Sequence, residues 1–292
     1  MISSSSAWAH GVLVDPGAVH VCYCHNPFRY AWSEREATLR ARGPLLRPPL
    51  RLLLNRWRQW DWIAAQRVDA YVANSHLTAA RVRRYFGREA TVLHPPVELG
   101  RFAPGPIAEH YVVVAELMAH KRIDVAIEAF NRLRRPLVVV GDGPELRRLR
   151  RMAGPTVTLT GRVSDERVAQ LLASARALVV TAAEEFGIAA VESLASGRPV
   201  IALGTGGVLE SVRDGETGVY YESADADALA EAVEAFDPLS IDPALCVEAA
   251  KRFDSRDFQA QLRSVVADAV AAERSPKTRE MRRIRAGILR AA

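Results

Sequence analysis

Two acidic side chains, Glu184 and Glu192, stand eight positions apart in the segment "EEFGIAAVES". The apolar run "ALVVTAA" before them is typical of a buried strand, and the residues after Gly187 have helical spacing. A helix that begins after such a strand has unpaired backbone N–H groups and a partial positive charge at its first turn. This junction therefore suits a phosphate group, and Gly187 lets a ligand approach the backbone closely.

The two carboxylates could hold hydroxyl groups on either side of that phosphate. Ile188 and Glu192 are one helical turn apart, so Glu192 lies on the same face one turn deeper. A carboxylate accepts two hydrogen bonds from a vicinal diol, as acidic residues do with ribose, and Glu184 could hold a sugar at the mouth. The spacing thus suits a nucleotide-sugar. It equally fits an acid that complements the helix dipole together with a solvated glutamate.

The second half of the chain alternates between short apolar runs and segments with helical spacing. Predicted strands are 111–116, 137–140, 157–161, 177–181 and 199–203. Predicted helices are 121–134, 144–152, 165–175, 188–196, 207–213, 225–236, 242–252 and 254–272. This alternation predicts right-handed crossovers and a doubly wound, Rossmann-like α/β domain.

The first half contains fewer strand candidates, namely 19–25, 68–75 and 91–96. The chain opens on "ISSSSAWAHG", which we interpret as a Ser-rich loop with no strand before it. Three strands are too few for a complete doubly wound domain. The predicted organisation is an incomplete Rossmann-like domain over 1–100, a linker over 101–110, a complete domain over 111–272 and a basic tail over 273–292.

Composition indicates a globular protein that favours anionic ligands. The 292 residues are 49% hydrophobic and 25% charged, with a net charge of +5 that is too small to indicate nucleic-acid binding. No run is long and apolar enough to cross a bilayer, and no signal peptide is recognisable, so a cytoplasmic location is expected. Cys22 and Cys24 stand two apart rather than at zinc-finger spacing, so we favour buried small hydrophobes over a metal site.

Several segments together resemble one known family. "EEFGIAAVESLASGRPVIAL" resembles the E-x7-E signature of retaining glycosyltransferases of family 4, which have the two-domain GT-B fold. Four further segments look like this family in the right order: "HVCYCHNPFRYAW", "VDAYVANSHLTAARVRRYFGREATVLHPPVELGRF", "HKRIDVAIEAFNRLRRPLVVVGDGPELRRL" and "VTLTGRVSDERVAQLL". The likeness is strongest to bacterial polysaccharide and lipopolysaccharide mannosyltransferases. It implies transfer of a hexose such as mannose from a nucleotide-diphosphate sugar to a glycan or lipid-linked acceptor in cell-surface polysaccharide synthesis, without a metal or other cofactor.

The resemblance also implies residue roles. Glu184 would face the donor sugar, Glu192 would bind ribose, and His25 would be the active-site histidine on the acceptor side. From the residues alone, a histidine at a strand end such as His25 is more often structural than catalytic. The remaining donor-binding residues that it implies are Lys121 and Arg122 for the diphosphate, the backbone N–H groups of Phe186, Gly187 and Ile188 for sugar and diphosphate, and Gly161, Arg162 and Val163 for the base.

Two departures from the family pattern favour another interpretation. Glu116 stands five residues before Lys121, where the family usually has Arg, and would repel a diphosphate unless Arg122 or Arg198 compensates. The family's first strand and Gly-rich loop are also absent. The alternative is a truncated, non-catalytic remnant that binds a nucleotide.

Two glycine-rich turns have more than one interpretation. Gly141-Asp142-Gly143 contains only part of a dinucleotide fingerprint, and a tight strand-to-helix turn is favoured. Gly204-Thr205-Gly206-Gly207 follows a strand at the edge where ligands bind in this architecture, and either contacts the donor or is a plain turn.

The segment "RPPLRLLLNRWRQWDW" mixes arginine with leucine and tryptophan. Such a helix either contacts the surface of an anionic membrane, where a lipid-linked acceptor would lie, or packs its apolar residues into the first domain's core. The basic tail is expected to be a surface segment rather than a nucleic-acid arm.

Overall fold

The computed structural model describes residues 1–15 and 17–274, without the side chains of Glu273 and Arg274. Most of the predicted basic tail lies outside the described residues. The chain divides into two units: the first is Met1–His94 together with the chain from Phe258, and the second is Pro95–Asp257.

The second unit contains a parallel six-stranded sheet with helices on both faces. Its strands, in the spatial order β10-β9-β8-β5-β6-β7, are β5 (Tyr111–Val114), β6 (Leu137–Val140), β7 (Val157–Gly161), β8 (Leu178–Val180), β9 (Val200–Leu203) and β10 (Gly218–Tyr221). Its helices are α4 (Ile123–Leu133), α5 (Leu146–Met152), α6 (Asp165–Ser174), α7 (Ile188–Ala195), α8 (Ala226–Ala235) and α9 (Pro243–Ala250). The predicted doubly wound α/β architecture is confirmed. The segment 207–213, predicted as a helix, forms only a 3-10 turn over Gly207–Glu210.

The strands are apolar on both faces because each face is covered. Neighbouring residues of β5 enter different clusters: Val112 packs with the layer that contains Leu172 and Leu194, whereas Val113 packs with the layer that contains Ile127. Side chains alternate across a strand, so a strand buried on both sides needs a continuous run such as "YVVV".

One strand of this sheet, β10, was not predicted. It pairs in parallel with β9 at the sheet edge, and its residues Val219 and Tyr220 are only half-buried. A four-residue strand with exposed positions lacks the apolar run by which the other strands were found.

The first unit contains a second parallel sheet, in the order β1-β2-β3-β4. Its strands are β1 (Ile2–Ser5), β2 (Val21–Cys24), β3 (Ala70–Ala73) and β4 (Ala90–Val92), and its helices are α1 (Arg35–Arg40), α2 (Arg47–Ala65), α3 (His76–Phe86) and, from Phe258 on, α10 (Ser255–Arg274). Cys22 and Cys24 are free thiols buried in the apolar cluster beside β2, and burial raises the pKa of the Cys22 thiol to about 11.

The interpretation of the Ser-rich N-terminus as a loop was wrong. Ile2–Ser5 is a strand that pairs in parallel register with Val21–Cys24. Three consecutive serines of this strand each hydrogen-bond a histidine ring: Ser3 to His20 at 2.8 Å, Ser4 to His25 at 2.7 Å and Ser5 to His10 at 3.3 Å. These partners, which come later in the chain, stabilise a strand that has little β-propensity of its own.

The last helix lies with a different unit from the one predicted. Residues 254–272 were expected to close the second domain, but Phe258, Leu262 and Val265 pack against the apolar cluster of the first sheet that includes Tyr23. The ring centroids of Tyr23 and Phe258 are 5.5 Å apart, edge to face. The helix thus covers a face of the first sheet that would otherwise expose valine and tyrosine.

A buried polar cluster joins three segments of the first unit. The Asp61 carboxylate of α2 lies 3.1 Å from the His10 Nε2 and accepts a 2.6 Å hydrogen bond from the Trp32 indole N–H. Asp61 and His10 are both almost completely buried. Because a buried carboxylate is costly without partners, this cluster fixes α2 against the N-terminal segment.

We predict that Asp61→Ala lowers the free energy of unfolding of the first unit by about 3 kcal/mol, because it leaves His10 and Trp32 buried without their acceptor. All five tryptophans lie between positions 8 and 62, so urea denaturation followed by tryptophan fluorescence reports on this unit. Glu89→Ala removes the exposed ion pair with Arg83 and should leave the midpoint unchanged. Equal midpoints for the two variants would contradict a structural role for Asp61.

Candidate active site

The loop between β8 and α7 carries Glu184, which pairs with a lysine from a neighbouring loop. The Lys121 Nζ lies 2.8 Å from the Glu184 Oε1, and the two side chains are 21% and 23% exposed. Lys121 follows β5 and Glu184 follows β8, and these strands are neighbours in the sheet. Both loops leave the carboxyl edge of the sheet, where ligands bind in open α/β folds.

Backbone geometry fixes the position of Lys121. The residue ends a short 3-10 turn, and Arg122 after it has a left-handed backbone with φ of 50°, which starts α4 at Ile123. The Lys121 carbonyl accepts a 2.7 Å hydrogen bond from the Thr181 Oγ1 at the end of β8. A left-handed conformation is uncommon for a residue with a Cβ and persists only where its surroundings enforce it.

The Gly204–Gly207 turn holds the loop of Glu184 in place. The Gly207 N–H donates a 2.8 Å hydrogen bond to the Glu184 carbonyl, and Gly206 forms a parallel bridge with Glu184. A Cβ at Gly206 would lie 2.6 Å from the Glu184 carbonyl oxygen, and one at Gly207 would lie 2.3 Å from the Phe186 Cα. The sequence left a donor contact or a plain turn open; the structure shows a turn that packs against the carboxylate loop.

The first turn of α7 faces this ion pair with its backbone amides. Gly187 has a φ of 91° and precedes the helix, and no side chain of the described residues caps it. The Phe186 side chain points into the core, with its ring 5.3 Å from that of Phe253. The Phe186 side chain therefore belongs to the core and not to the site. The partial positive charge of the helix start adds to that of Lys121.

Glu192 lies one turn into α7 and is half-buried. Burial raises the pKa of its carboxyl to about 7, while the positive charge of Arg101 opposes this shift and Asp165 adds to it. Arg101 and Asp165 form an ion pair of 3.0 Å with each other. Within the part of the chain that the structure describes, no hydrogen bond or ion pair joins the Glu192 carboxylate to another residue. Its environment thus disfavours a charge that no protein group satisfies.

The loop after β5 also carries Glu116, and the structure excludes one of its two suggested compensating residues. Arg198 is 3% exposed and donates hydrogen bonds to the backbone carbonyls of Ala173 and Gly105, so it is a structural arginine. Arg122 is exposed and pairs with Asp124 at 3.4 Å. Glu116 is exposed at this loop.

The Gly141–Gly143 segment is the tight turn that was predicted. A Cβ at Gly141 would lie 1.8 Å from the Ala115 carbonyl oxygen, and one at Gly143 would lie 2.6 Å from that of Leu117. The turn therefore packs against the loop that leads to Lys121. The Gly141 N–H also donates to the Gly161 carbonyl at 3.0 Å.

The segment Gly161–Val163 ends β7, two strands away from β5 in the sheet. Gly161 has a φ of 73°, Arg162 is exposed, and Val163 packs partly against the core. The structure thus places the predicted residues of the second unit along the carboxyl edge of one sheet. It brings only Lys121 and Glu184 into direct contact.

His25 belongs to the first unit and follows β2. Its Nε2 is hydrogen-bonded to the Ser4 Oγ at 2.7 Å, and its ring lies 5.1 Å from that of Tyr23, edge to face. Burial lowers the pKa of the imidazole, so the ring is neutral at pH 7 and can act as a base. The sequence did not predict Ser4 as its partner, because the serine was taken for part of a loop.

Comparison with known proteins identifies the second unit. The family described as "Glycosyl transferases group 1" matches residues 108–236. Those residues form a group 1 glycosyltransferase domain. The domain contains all the donor-side residues predicted from the sequence, from Lys121 to Glu192.

Two mycobacterial relatives are similar to parts of the chain. The chain is 33% identical over 198 residues to the GDP-mannose-dependent alpha-(1-6)-phosphatidylinositol monomannoside mannosyltransferase of Mycolicibacterium smegmatis, covering 56% of this chain and 52% of the relative. It is 27% identical over 237 residues to the D-inositol 3-phosphate glycosyltransferase of Mycobacterium bovis, covering 72% and 48%. The chain spans about half the length of the curated relatives it matches.

Solved structures show the fold. Sucrose-phosphate synthase from Thermosynechococcus elongatus matches with a TM-score of 0.70 and 23% identity over 87% of this chain and 68% of its own. Anabaena Alr3699/HepE in complex with UDP and glucose matches with a TM-score of 0.68 and 18% identity, over 85% and 71%. The predicted GT-B fold class is confirmed, and the group 1 domain is its second Rossmann-like unit.

We predict that the affinity for GDP rises about tenfold between pH 6 and pH 8, because a carboxyl with a pKa of about 7 becomes ionised over this range and an ionised carboxylate accepts ribose hydroxyls better. Calorimetric titration of the wild type and Glu192→Gln at both pH values measures this. The titration of the phosphate itself is common to both proteins and cancels. A pH dependence that persists unchanged in Glu192→Gln would contradict the ribose assignment.

The same variant has a stability readout that requires no ligand. The pKa of Glu192 is raised in the folded state, so the unfolded state ionises first and the wild type loses stability as the pH rises from about 4.5 to about 7. Glu192→Gln should therefore be more stable than the wild type at pH 8, by roughly 1–3 kcal/mol, and equal to it near pH 4. Urea denaturation followed by circular dichroism tests the sign.

We predict that Glu184→Gln increases the affinity for a nucleoside diphosphate about fivefold, because Lys121 no longer pairs with a competing carboxylate. The control is Glu185→Gln, which makes the same chemical change one residue away. Weaker binding in Glu184→Gln would mean that this carboxylate contributes to holding the nucleotide, and would overturn the competition between the two anions for Lys121.

Proposed function

We propose that this chain belongs to a retaining glycosyltransferase that moves a hexose, with mannose as the first choice, from a nucleotide-diphosphate sugar to a glycan or lipid-linked acceptor in cell-surface polysaccharide synthesis. The observation that carries the proposal is the Lys121–Glu184 pair of 2.8 Å beside the uncapped first turn of α7. One cation, one anion and a row of backbone amides converge there on the edge of a group 1 domain.

The donor diphosphate would lie between the Lys121 ammonium and the amides at the start of α7. Both carry positive charge, and Gly187 leaves the approach open. Glu192, one turn deeper, would hold the ribose, and the backbone of Gly161–Val163 would frame the base. Glu184 would exchange Lys121 for the hydroxyls of the sugar once the diphosphate neutralises the lysine.

Catalysis would depend on stabilising the leaving diphosphate. As the bond from the sugar to the phosphate oxygen breaks, negative charge grows on that oxygen, and Lys121 and the helix start are preorganised to neutralise it. The Thr181 hydroxyl donates to the Lys121 carbonyl and so holds the backbone of Lys121, while the Gly207 N–H holds the backbone of Glu184. Fixed donors need no reorganisation during the reaction.

On the acceptor side we propose His25 as a catalytic base or hydrogen-bond partner. Its imidazole is neutral at pH 7, and Ser4 fixes the orientation of the ring. The choice of mannose rests on the relative from Mycolicibacterium smegmatis, which is a GDP-mannose-dependent mannosyltransferase. Other structural neighbours were solved with UDP, so the base and the sugar both require measurement.

A lipid-linked acceptor would place the protein at the inner face of the cytoplasmic membrane as a peripheral protein. Among the described residues, no helix is long and apolar enough to span a bilayer. Contact with the membrane would then have to come from a surface of the folded chain.

The test is calorimetric titration with GDP, UDP and ADP, followed by GDP-mannose and an assay for its slow hydrolysis without acceptor. We predict that Lys121→Ala weakens binding of the preferred nucleoside diphosphate at least tenfold, because it removes the main counter-charge of the phosphates. Lys251→Ala, which removes an exposed lysine paired with Glu248 in the same unit, should leave the affinity unchanged.

The outcomes separate the proposal from its alternative. Nucleotide binding together with hydrolysis of the sugar nucleotide, reduced in His25→Ala, supports the transferase. Nucleotide binding without any turnover favours the non-catalytic nucleotide-binding remnant. If a folded protein binds none of the three nucleotides, the donor site itself is wrong.

A further inference from the structure

Helix α2 and the residues just before it expose several large apolar side chains to solvent. Among the described residues, the large apolar side chains that are more than one-third exposed concentrate around this helix: Leu45, Leu46, Leu52, Leu53, Trp60, Trp62 and Ile63. Leu52 is 60% and Ile63 is 57% exposed. Contiguous exposed apolar residues of this kind mark a contact surface rather than ordinary scatter.

The exposed residues form a stripe opposite the buried one. The helix packs inward through Leu54, Asp61 and Ala65, which occupy one face. On the other side, Leu52 and Ile63 are eleven residues apart and Leu53 and Trp60 seven apart, and both spacings return a side chain to nearly the same angle. We call the set Leu52, Leu53, Arg56, Trp60 and Ile63 the α2 outer face.

The exposed charges of residues 37–67, the segment that contains this face, are of one sign, and Arg56 lies on the face itself. Arg40, Arg42, Arg47, Arg51 and Arg56 are all exposed. Between residues 37 and 67 the sole carboxylate is Asp61, which is buried and occupied by His10 and Trp32. Nothing acidic therefore neutralises the arginines at the surface of this segment.

We propose that the α2 outer face binds the surface of a membrane that contains anionic lipids, with the helix lying parallel to the bilayer. Leucine, isoleucine and tryptophan would enter the headgroup boundary, and the arginines would contact lipid phosphates. Trp60 provides an amphipathic ring of the kind enriched at this interface. This inference rests on the proposed function for its biological purpose, which is access to a lipid-linked acceptor. The binding itself depends only on the residues of the α2 outer face and the lipid.

Charge makes a membrane a better occupant than a second copy of the chain. Two copies that met through this face would bring exposed arginines toward each other, with no exposed carboxylate in residues 37–67 to pair with them. An anionic bilayer offers the opposite charge across its whole surface. Each arginine near such a surface strengthens binding about fivefold, so several of them amplify a modest apolar contribution.

The experiment is flotation of the purified chain with vesicles of phosphatidylcholine alone or with roughly 40% phosphatidylglycerol, which gives the vesicle a strong negative surface potential. The wild type should float with the anionic vesicles, at least tenfold more than with neutral ones, and lose this binding in about 1 M salt. Leu52→Gln/Ile63→Gln should reduce flotation at least tenfold, and Arg56→Gln, which removes a charge from the same face, should reduce it about fivefold.

The matched control is Leu239→Gln/Leu245→Gln, which changes apolar residues that are 55% and 51% exposed in the other unit. Arg151→Gln, an exposed arginine of α5, controls for the loss of charge. Both should float like the wild type. Tryptophan fluorescence during urea denaturation shows that each α2 variant keeps its first unit folded.

Three results would overturn the proposal: no flotation of the wild type, equal flotation of the α2 variants, or a wild-type dimer in light scattering that Leu52→Gln/Ile63→Gln dissociates. The last would assign the face to a second copy. Nucleotide affinity is measured on the same samples. Flotation without nucleotide binding would support the membrane-binding surface and contradict the proposed function. Nucleotide binding without flotation would support the proposed function and contradict the membrane-binding surface.

Discussion

The Lys121–Glu184 ion pair is the contact on which the geometry of the candidate site depends. Its two residues follow β5 and β8, and the glycine turn that fixes the Glu184 loop follows β9. These strands are consecutive in the sheet order β9-β8-β5, so three adjacent loops meet at one edge. Strand order places the charges together, and the backbone contacts of Thr181, Gly206 and Gly207 set their distance.

Much of this arrangement follows from the sequence because it depends on local rules. Buried parallel strands require apolar runs, which predicted the sheet, and the carboxyl ends of such strands meet at one edge, which predicted a ligand site at Glu184. The place of Lys121 at this site came from the resemblance to the family. The helix start at Gly187 predicted an anion site for the same reason, and the paired acids predicted contacts to hydroxyl groups on either side of it. The tight turn at Gly141–Gly143 was also predictable, because the backbone conformation of a turn depends on the residues within it.

The rest depended on partners that are distant in sequence. Ile2–Ser5 pairs with Val21–Cys24, and three of its serines bond three histidines, and local propensity cannot reveal partners this distant in the chain. The sequence offered Arg198 as a positive charge that could compensate for Glu116, but its guanidinium donates to the backbone carbonyls of two residues that are distant in the chain. The apolar residues of α10 had the right spacing for a helix, but periodicity does not say which sheet the helix covers.

The charges at the donor edge couple two steps of the proposed function, binding of the diphosphate and release of Glu184 from Lys121. Lys121 and Glu184 neutralise each other, and Glu116 adds an exposed negative charge to the loop after β5. A diphosphate bound as we propose would therefore displace Glu184 from Lys121. On the proposed function, the displaced carboxylate is released where the donor sugar would lie, so the ligand that breaks the ion pair also frees the group that would hold its sugar. The ion pair would then make the site selective for a sugar nucleotide. Only a ligand with both a diphosphate for Lys121 and hydroxyl groups for Glu184 replaces the contacts that both residues lose when the pair opens.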